Sequence, residues 1–134
     1  MSSGRDAGGG RLFAISDLHI REPDDAPARG LLAFLEQRLR PGDRLIVVGD
    51  LFDWWYGGFG RPPRDGEPIL AALERVGVVD YVEGNHDFRL GPALVARPAF
   101  RHHPEGLRLQ WSGLSIDLRH GDLVQQDALG YRAL

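Results

Sequence analysis

The stretch RLIVVGD, residues 44–50, is an unbroken aliphatic run closed by a glycine and an acid. A strand that is apolar on both faces has to be covered on both faces, which points to a parallel sheet packed between other layers. Around this run the pattern alternates. RLFAIS (11–16) reads as a first strand and LLAFLEQRLR (31–40) as a helix with Leu31, Leu32, Phe34, Leu35 and Leu39 on one face. ILAALERVG (69–77) reads as a second helix ending on Gly77, and VVDYVE (78–83) as the next strand. The order β-α-β-α-β predicts an α/β fold with right-handed crossovers.

The later segments are more varied. LGPALVARP (90–98) suggests a short helix, and LRLQWSGLSIDLRH (107–120) alternates apolar and polar residues around Ser112–Gly113, as an antiparallel hairpin does. That hairpin predicts a mixed sheet in the second half. FRHHPEG (100–106) reads as a loop carrying His102 and His103, and QQDALGYRAL (125–134) as a helix capped by Asp127. The segment LFDWWYGGFGRPPRDGEP (51–68) is long for a connection in a compact domain, which marks it as a functional loop.

A chain of 134 residues holds one domain with a real core. Residues 1–10, MSSGRDAGGG, read as a flexible tail and 11–134 as the domain. The longest aliphatic run, LIVV, is far short of a membrane span, so the expectation is a soluble or at most peripheral protein. With 16 basic against 19 acidic residues there is no broad basic surface, which argues against nucleic acid as a partner. There is no cysteine, so a metal would have to be held by oxygen and imidazole.

Polar side chains cluster directly after each predicted strand: SDLH (16–19), GDLFD (49–53), GNHD (84–87) and HGD (120–122). Ligands of open α/β sheets bind at the carboxyl ends of the strands, so four groups far apart in sequence are expected on one rim. In an extended segment residues two apart point the same way, which would let Asp17 and His19 face one ion. Alone, Asp-x-His is an ordinary turn, Asp50 a helix cap and His120 a solvated turn histidine. Together with Asp53, Asp87 and Asp122 they put many carboxylates at one rim, and these repel unless cations intervene. Two divalent ions sharing a carboxylate answer that repulsion. The mixed oxygen and nitrogen set suits Mn, Fe, Zn or a similar metal better than Ca, and Mn is the first expectation.

These four motifs, DLH, GDLFD, GNHD and RHGD, occur in the order found in the calcineurin-like metallophosphoesterases, and the chain resembles that family over residues 11–122. The resemblance implies a β-sandwich flanked by helices and hydrolysis of a phosphoester or pyrophosphate bond. It implies that Asp17 and His19 bind one metal, Asp50 bridges, and Asn85 and His120 bind the second. His86 would be the acid, protonating the leaving oxygen or holding the phosphate, with Asp87 or a neighbour orienting its ring. Asn85 and Arg89 would meet the substrate, and Asp53 would fix the loop or a ligand.

GDLFDWW, GNHDFRLG and HGDLVQQDALGYRAL are most similar to the UDP-2,3-diacylglucosamine pyrophosphatases of lipid A synthesis, although the better-known branch has arginine where this chain has His86. That likeness implies a lipid-nucleotide substrate and a cytoplasmic enzyme peripheral to the inner membrane. Trp54, Trp55, Tyr56 and Phe59 would then either touch acyl chains or pack beneath their loop. The family's last motif, Gly-His-x-His, is absent, so the chain is expected to be the N-terminal portion of a larger enzyme. An open sheet edge would then be left for homo-oligomer formation. The other reading of the missing motif is a non-catalytic binding or scaffold module.

Overall fold

The structure is a computed structural model that describes residues 9–121. Asp122, Asp127 and the C-terminal helix expected from the sequence lie outside the described residues, as do the first eight residues of the expected tail.

The first half follows the expected order. Strand β1 (Leu12–Ile15) leads into helix α1 (Ala26–Gln37), followed by β2 (Arg44–Val48). Helix α1 starts five residues before the expected Leu31 because Asp25 caps it: its carboxylate accepts from the Ala28 amide at 2.9 Å, and Pro27 sits in the first turn, where no amide proton is needed. The long loop after β2 is not structureless. It holds the two-residue strand β3 (Trp55–Tyr56) and a 3-10 turn (Gly57–Phe59). Then come α2 (Glu67–Val76), β4 (Val79–Val82), β5 (Asp87–Phe88) and the single-turn helix α3 (Gly91–Leu94).

The remaining strands are β6 (Phe100–His103), β7 (Leu107–Trp111) and β8 (Leu114–Leu118). One sheet has the order β1-β2-β4-β6 with every neighbouring pair parallel. Two expectations are corrected here. His102 and His103 are not loop residues, since they sit in β6, an edge strand of this sheet paired with β4. The hairpin β7–β8 does not make that sheet mixed, because it forms its own two-stranded sheet. Ser112 (φ 48°) and Gly113 (φ 77°) make its turn, both left-handed as a tight two-residue hairpin requires.

Strand alternation divides the core into two layers. Leu45, Val47, Val79, Tyr81 and Phe100 turn towards the helices and cluster with Leu31, Ile69, Leu70 and Leu73. Ile46, Val48 and Val82 face the other way and meet Leu107, Leu109 and Trp111 of the hairpin. The arrangement is helices, parallel sheet, hairpin.

The hairpin side of the sheet also buries a carboxylate. Asp80, 1% exposed, lies 2.8 Å from His103 Nε2 and accepts from Arg44 Nε at 2.9 Å, linking three adjacent strands. Burial alone would raise its carboxyl, but the bonds to His103 and Arg44 and the charge on Arg44 outweigh burial and hold it below the ordinary range. A depressed folded value adds stability that is present above the unfolded pKa of about 4 and lost as pH falls through the folded one. The difference in unfolding free energy between wild type and Asp80→Asn is therefore expected to shrink in urea melts below about pH 4.

Candidate metal centre

The turns after β1, β2 and β4 are laced together as if the sheet continued. Asp17 and His19 donate their amides to the Gly49 and Asp50 carbonyls at 3.2 and 3.0 Å, and Ile20 and Asp53 continue the pattern at 2.9 and 3.0 Å. Asp17 (φ 58°), His19 (φ 48°) and Asp50 (φ 55°) all take the left-handed backbone region, which Asp and His enter more readily than most residues. The segment Asp17–His19 is therefore not extended, as the two-residue spacing suggested. The left-handed turns bring the two side chains to the same place. Non-glycine residues held in this conformation cluster where function needs them.

Two glycines permit the close approach. A Cβ on Gly84 would lie 2.2 Å from Asp50 Oδ1, and one on Gly49 would lie 2.8 Å from the Gly84 Cα and 2.5 Å from the His120 ring. Both positions exclude any side chain.

Asp50, 3% exposed, is the hub. Its Oδ1 accepts from the His86 amide at 2.9 Å, and its Oδ2 lies 3.3 Å from His120 Nε2 and 3.7 Å from His19 Nε2. Asp17 Oδ1 lies 3.2 Å from His120 Nε2 and 3.7 Å from His19 Nε2. Two sets of ligand atoms result, one from His19, Asp50 and His86 and the other from Asp17, Asp50 and His120, each spanning no more than 4.8 Å. Asp50 belongs to both sets.

Asn85 completes the cluster: its side-chain NH2 donates to Asp50 Oδ2 at 2.9 Å. For Asp17, burial opposes ionisation, but hydrogen bonds from Ser16 and His120 win and hold its carboxyl below the ordinary range.

The supporting residues differ from expectation. Asp87 does not orient His86. It turns inward, fully buried, and accepts from the amides of Asp50, Leu51 and Gly84, each at 2.9 Å, and from the Tyr81 hydroxyl at 2.6 Å. Burial and the neighbouring Asp87 push the Tyr81 hydroxyl well above its usual pKa, so it stays a donor. The His86 ring is oriented by a backbone group instead, the Asp53 carbonyl, 2.7 Å from Nδ1. A carbonyl only accepts, so Nδ1 carries the proton and Nε2 is left for chemistry. The Asp53 carboxylate faces His19 Nδ1 at 3.4 Å, fixing that ring so that Nε2 looks into the cluster.

Arg89 donates its amide to Glu83 at 2.8 Å, and among the described residues its guanidinium bonds to none of the candidate ligands. Instead it lines a groove of about 630 Å³ with Tyr56, Glu83 and His102. His102 is bonded to Glu83. Both β6 histidines thus have carboxylate partners that their own sequence neighbourhood does not reveal. Of the loop aromatics, Trp55 is core, 2% exposed, whereas Trp54 and Phe59 are 65% and 79% exposed.

A family description, calcineurin-like phosphoesterase, matches residues 10–128. The chain belongs to the calcineurin-like phosphoesterase family. Calcineurin-like phosphoesterases use a pair of divalent metal ions, and in this member two ligand sets share one carboxylate. Within the family it is similar to proteins called UDP-2,3-diacylglucosamine hydrolase. The one from Aromatoleum aromaticum is 33% identical over 122 residues, covering 89% of this chain and 50% of that protein. Those from Escherichia coli O7:K1 and Serratia proteamaculans are 34% and 35% identical, covering 89% and 88% of this chain and 51% and 50% of theirs. The chain spans about half the length of the curated relatives it matches.

Proposed function

We propose that this chain carries the metal-binding and acid-bearing portion of a dinuclear phosphoester or pyrophosphate hydrolase acting on a lipid-linked nucleotide of the UDP-2,3-diacylglucosamine kind. The observation that carries the reading is the position of Asp50, buried and with its Oδ2 between His19 Nε2 at 3.7 Å and His120 Nε2 at 3.3 Å. The donors fit divalent ions: carboxylate oxygens and imidazole nitrogens gathered within 4.8 Å of one another, with the Asn85 side-chain amide beside them. Asp17, His19, Asp50, Asn85 and His120 would hold them, with Mn the first candidate. Such ions lower the pKa of a water and neutralise charge on a phosphoryl group.

His86 is the residue that gives a proton to the leaving oxygen. The Asp53 carbonyl holds its Nδ1 proton and leaves Nε2–H of the imidazolium as the proton donor. Asn85 and Arg89 contact the substrate, Asn85 from inside the cluster and Arg89 from the neighbouring groove. The exposed Trp54, Tyr56 and Phe59 touch the lipid portion or the surface it comes from, and the reading is of a cytoplasmic protein peripheral to a membrane. No helix among the described residues is long and apolar enough to cross one. Residues 11–134 act as one phosphoesterase unit, with 1–10 as a tail. An edge-to-edge homo-oligomer belongs to the same reading, because β1 and β6 are the outer strands of the sheet among the described residues.

Two measurements test the proposal. Mn-loaded protein should hydrolyse bis-p-nitrophenyl phosphate and release UMP from UDP-2,3-diacylglucosamine, both stopped by a chelator; activity indifferent to metal sinks the dinuclear reading. Added Mn should also raise Tm by several degrees, since a ligand at 100 times its Kd stabilises by about 2.7 kcal/mol. An unchanged Tm would count against the site.

A further inference from the structure

We propose that Arg21 is a substrate-binding residue that holds a second phosphoryl group beside the one under attack. The inference rests on the phosphoester-hydrolase reading and extends it to how a pyrophosphate is told from a simple ester. The rim is acidic, with carboxylate oxygens of Asp17, Asp50 and Asp53 all within 3.7 Å of the His19 ring nitrogens. Cations held there would neutralise one phosphoryl group, but a neighbouring one needs positive charge of its own.

An exposed arginine is ordinarily a mobile, solvated side chain. Arg21 is fixed at both ends. Its amide donates to Asp25 Oδ2 at 2.8 Å, on the carboxylate that caps α1, and Ile20 beside it is bridged to Phe52. At the other end Nε donates to Asp53 Oδ2 at 3.0 Å. The other oxygen of that carboxylate faces His19 Nδ1, so one carboxylate separates the guanidinium from a candidate metal ligand. The side chain is 76% exposed, and Nη1 and Nη2 bond to nothing among the described residues. A guanidinium anchored through Nε presents its two Nη groups as a fork matched to phosphate oxygens. The entropy of ordering the side chain has already been met by the fold, which favours anion capture there.

Titration calorimetry at a fixed free Mn²⁺ concentration tests this with two non-hydrolysable probes, methylenediphosphonate and methylphosphonate. In Arg21→Ala the diphosphonate Kd should rise about tenfold while methylphosphonate moves less than about twofold, the loss of one charge-assisted contact. Arg21→Lys, which keeps the charge without the fork, should fall between wild type and Arg21→Ala. Equal shifts for both probes, or no shift, overturn the proposal; so does a wild type that binds the diphosphonate no more tightly than the monophosphonate. Hydrolysis of bis-p-nitrophenyl phosphate by the same protein separates the two readings. Hydrolysis without probe discrimination removes only the role of Arg21, whereas no hydrolysis and no binding of either probe removes the phosphoester reading as well.

Discussion

Asp50→Asn should lower Mn-dependent kcat/KM by about a thousandfold or more while leaving the fold standing. A loss of several kcal/mol of metal-derived stabilisation corresponds to that factor, at about 1.4 kcal/mol per tenfold. The substitution keeps the shape of the side chain, and its remaining oxygen can still accept the His86 amide, now 2.9 Å from Oδ1. The Asp50 amide stays bonded to Asp87 in either case. What is removed is the one negative charge common to both ligand sets, so bound metal should fall as well. Metal content and kcat/KM on the same preparation check this, and a variant retaining more than about a tenth of wild-type activity contradicts a shared carboxylate.

Asp87→Ala should cost about 3–5 kcal/mol of stability, the range for breaking a buried charged network by removing one partner. Three backbone amides and the Tyr81 hydroxyl would lose their acceptor in a place water does not reach. Each buried unsatisfied donor costs about 1–3 kcal/mol, and local relaxation keeps the sum below simple addition. Against a total stability of about 5–15 kcal/mol this is a large share. Because Asp87 ties the Asp50 turn to the Gly84 turn, metal affinity should fall with it. Urea denaturation measures the first effect, and a loss below about 1 kcal/mol would show that these donors find other partners.

The two residues illustrate how far each kind of reading reaches. Both are acids at a strand end, Asp50 after LIVVG and Asp87 after GNH, and along the chain they look alike. Nothing local says that one faces the cluster and the other the core. His102 and His103 repeat the point: without an aliphatic run, FRHH carried no strand signal, yet its backbone completes the sheet next to β4. Its histidines then meet Glu83 and Asp80, which lie 19 and 23 residues earlier. Helix α1 is the opposite case, since Asp25 and Pro27 were legible signals of an earlier start.

Aliphatic periodicity and turn residues act over a few positions, so the sequence alone determined the succession of strands and helices and the delivery of polar clusters to the strand ends. Which side chains share those ends as partners was decided by tertiary structure. Parallel register laces the Asp17–His19 segment to the Gly49–Leu51 turn, and left-handed backbone at Asp17, His19 and Asp50 sets their directions. The same packing leaves the Asp53 carbonyl beneath His86 and its carboxylate between His19 and Arg21. Directions of this kind depend on contacts between residues tens of positions apart, and no local pattern along the chain encodes them.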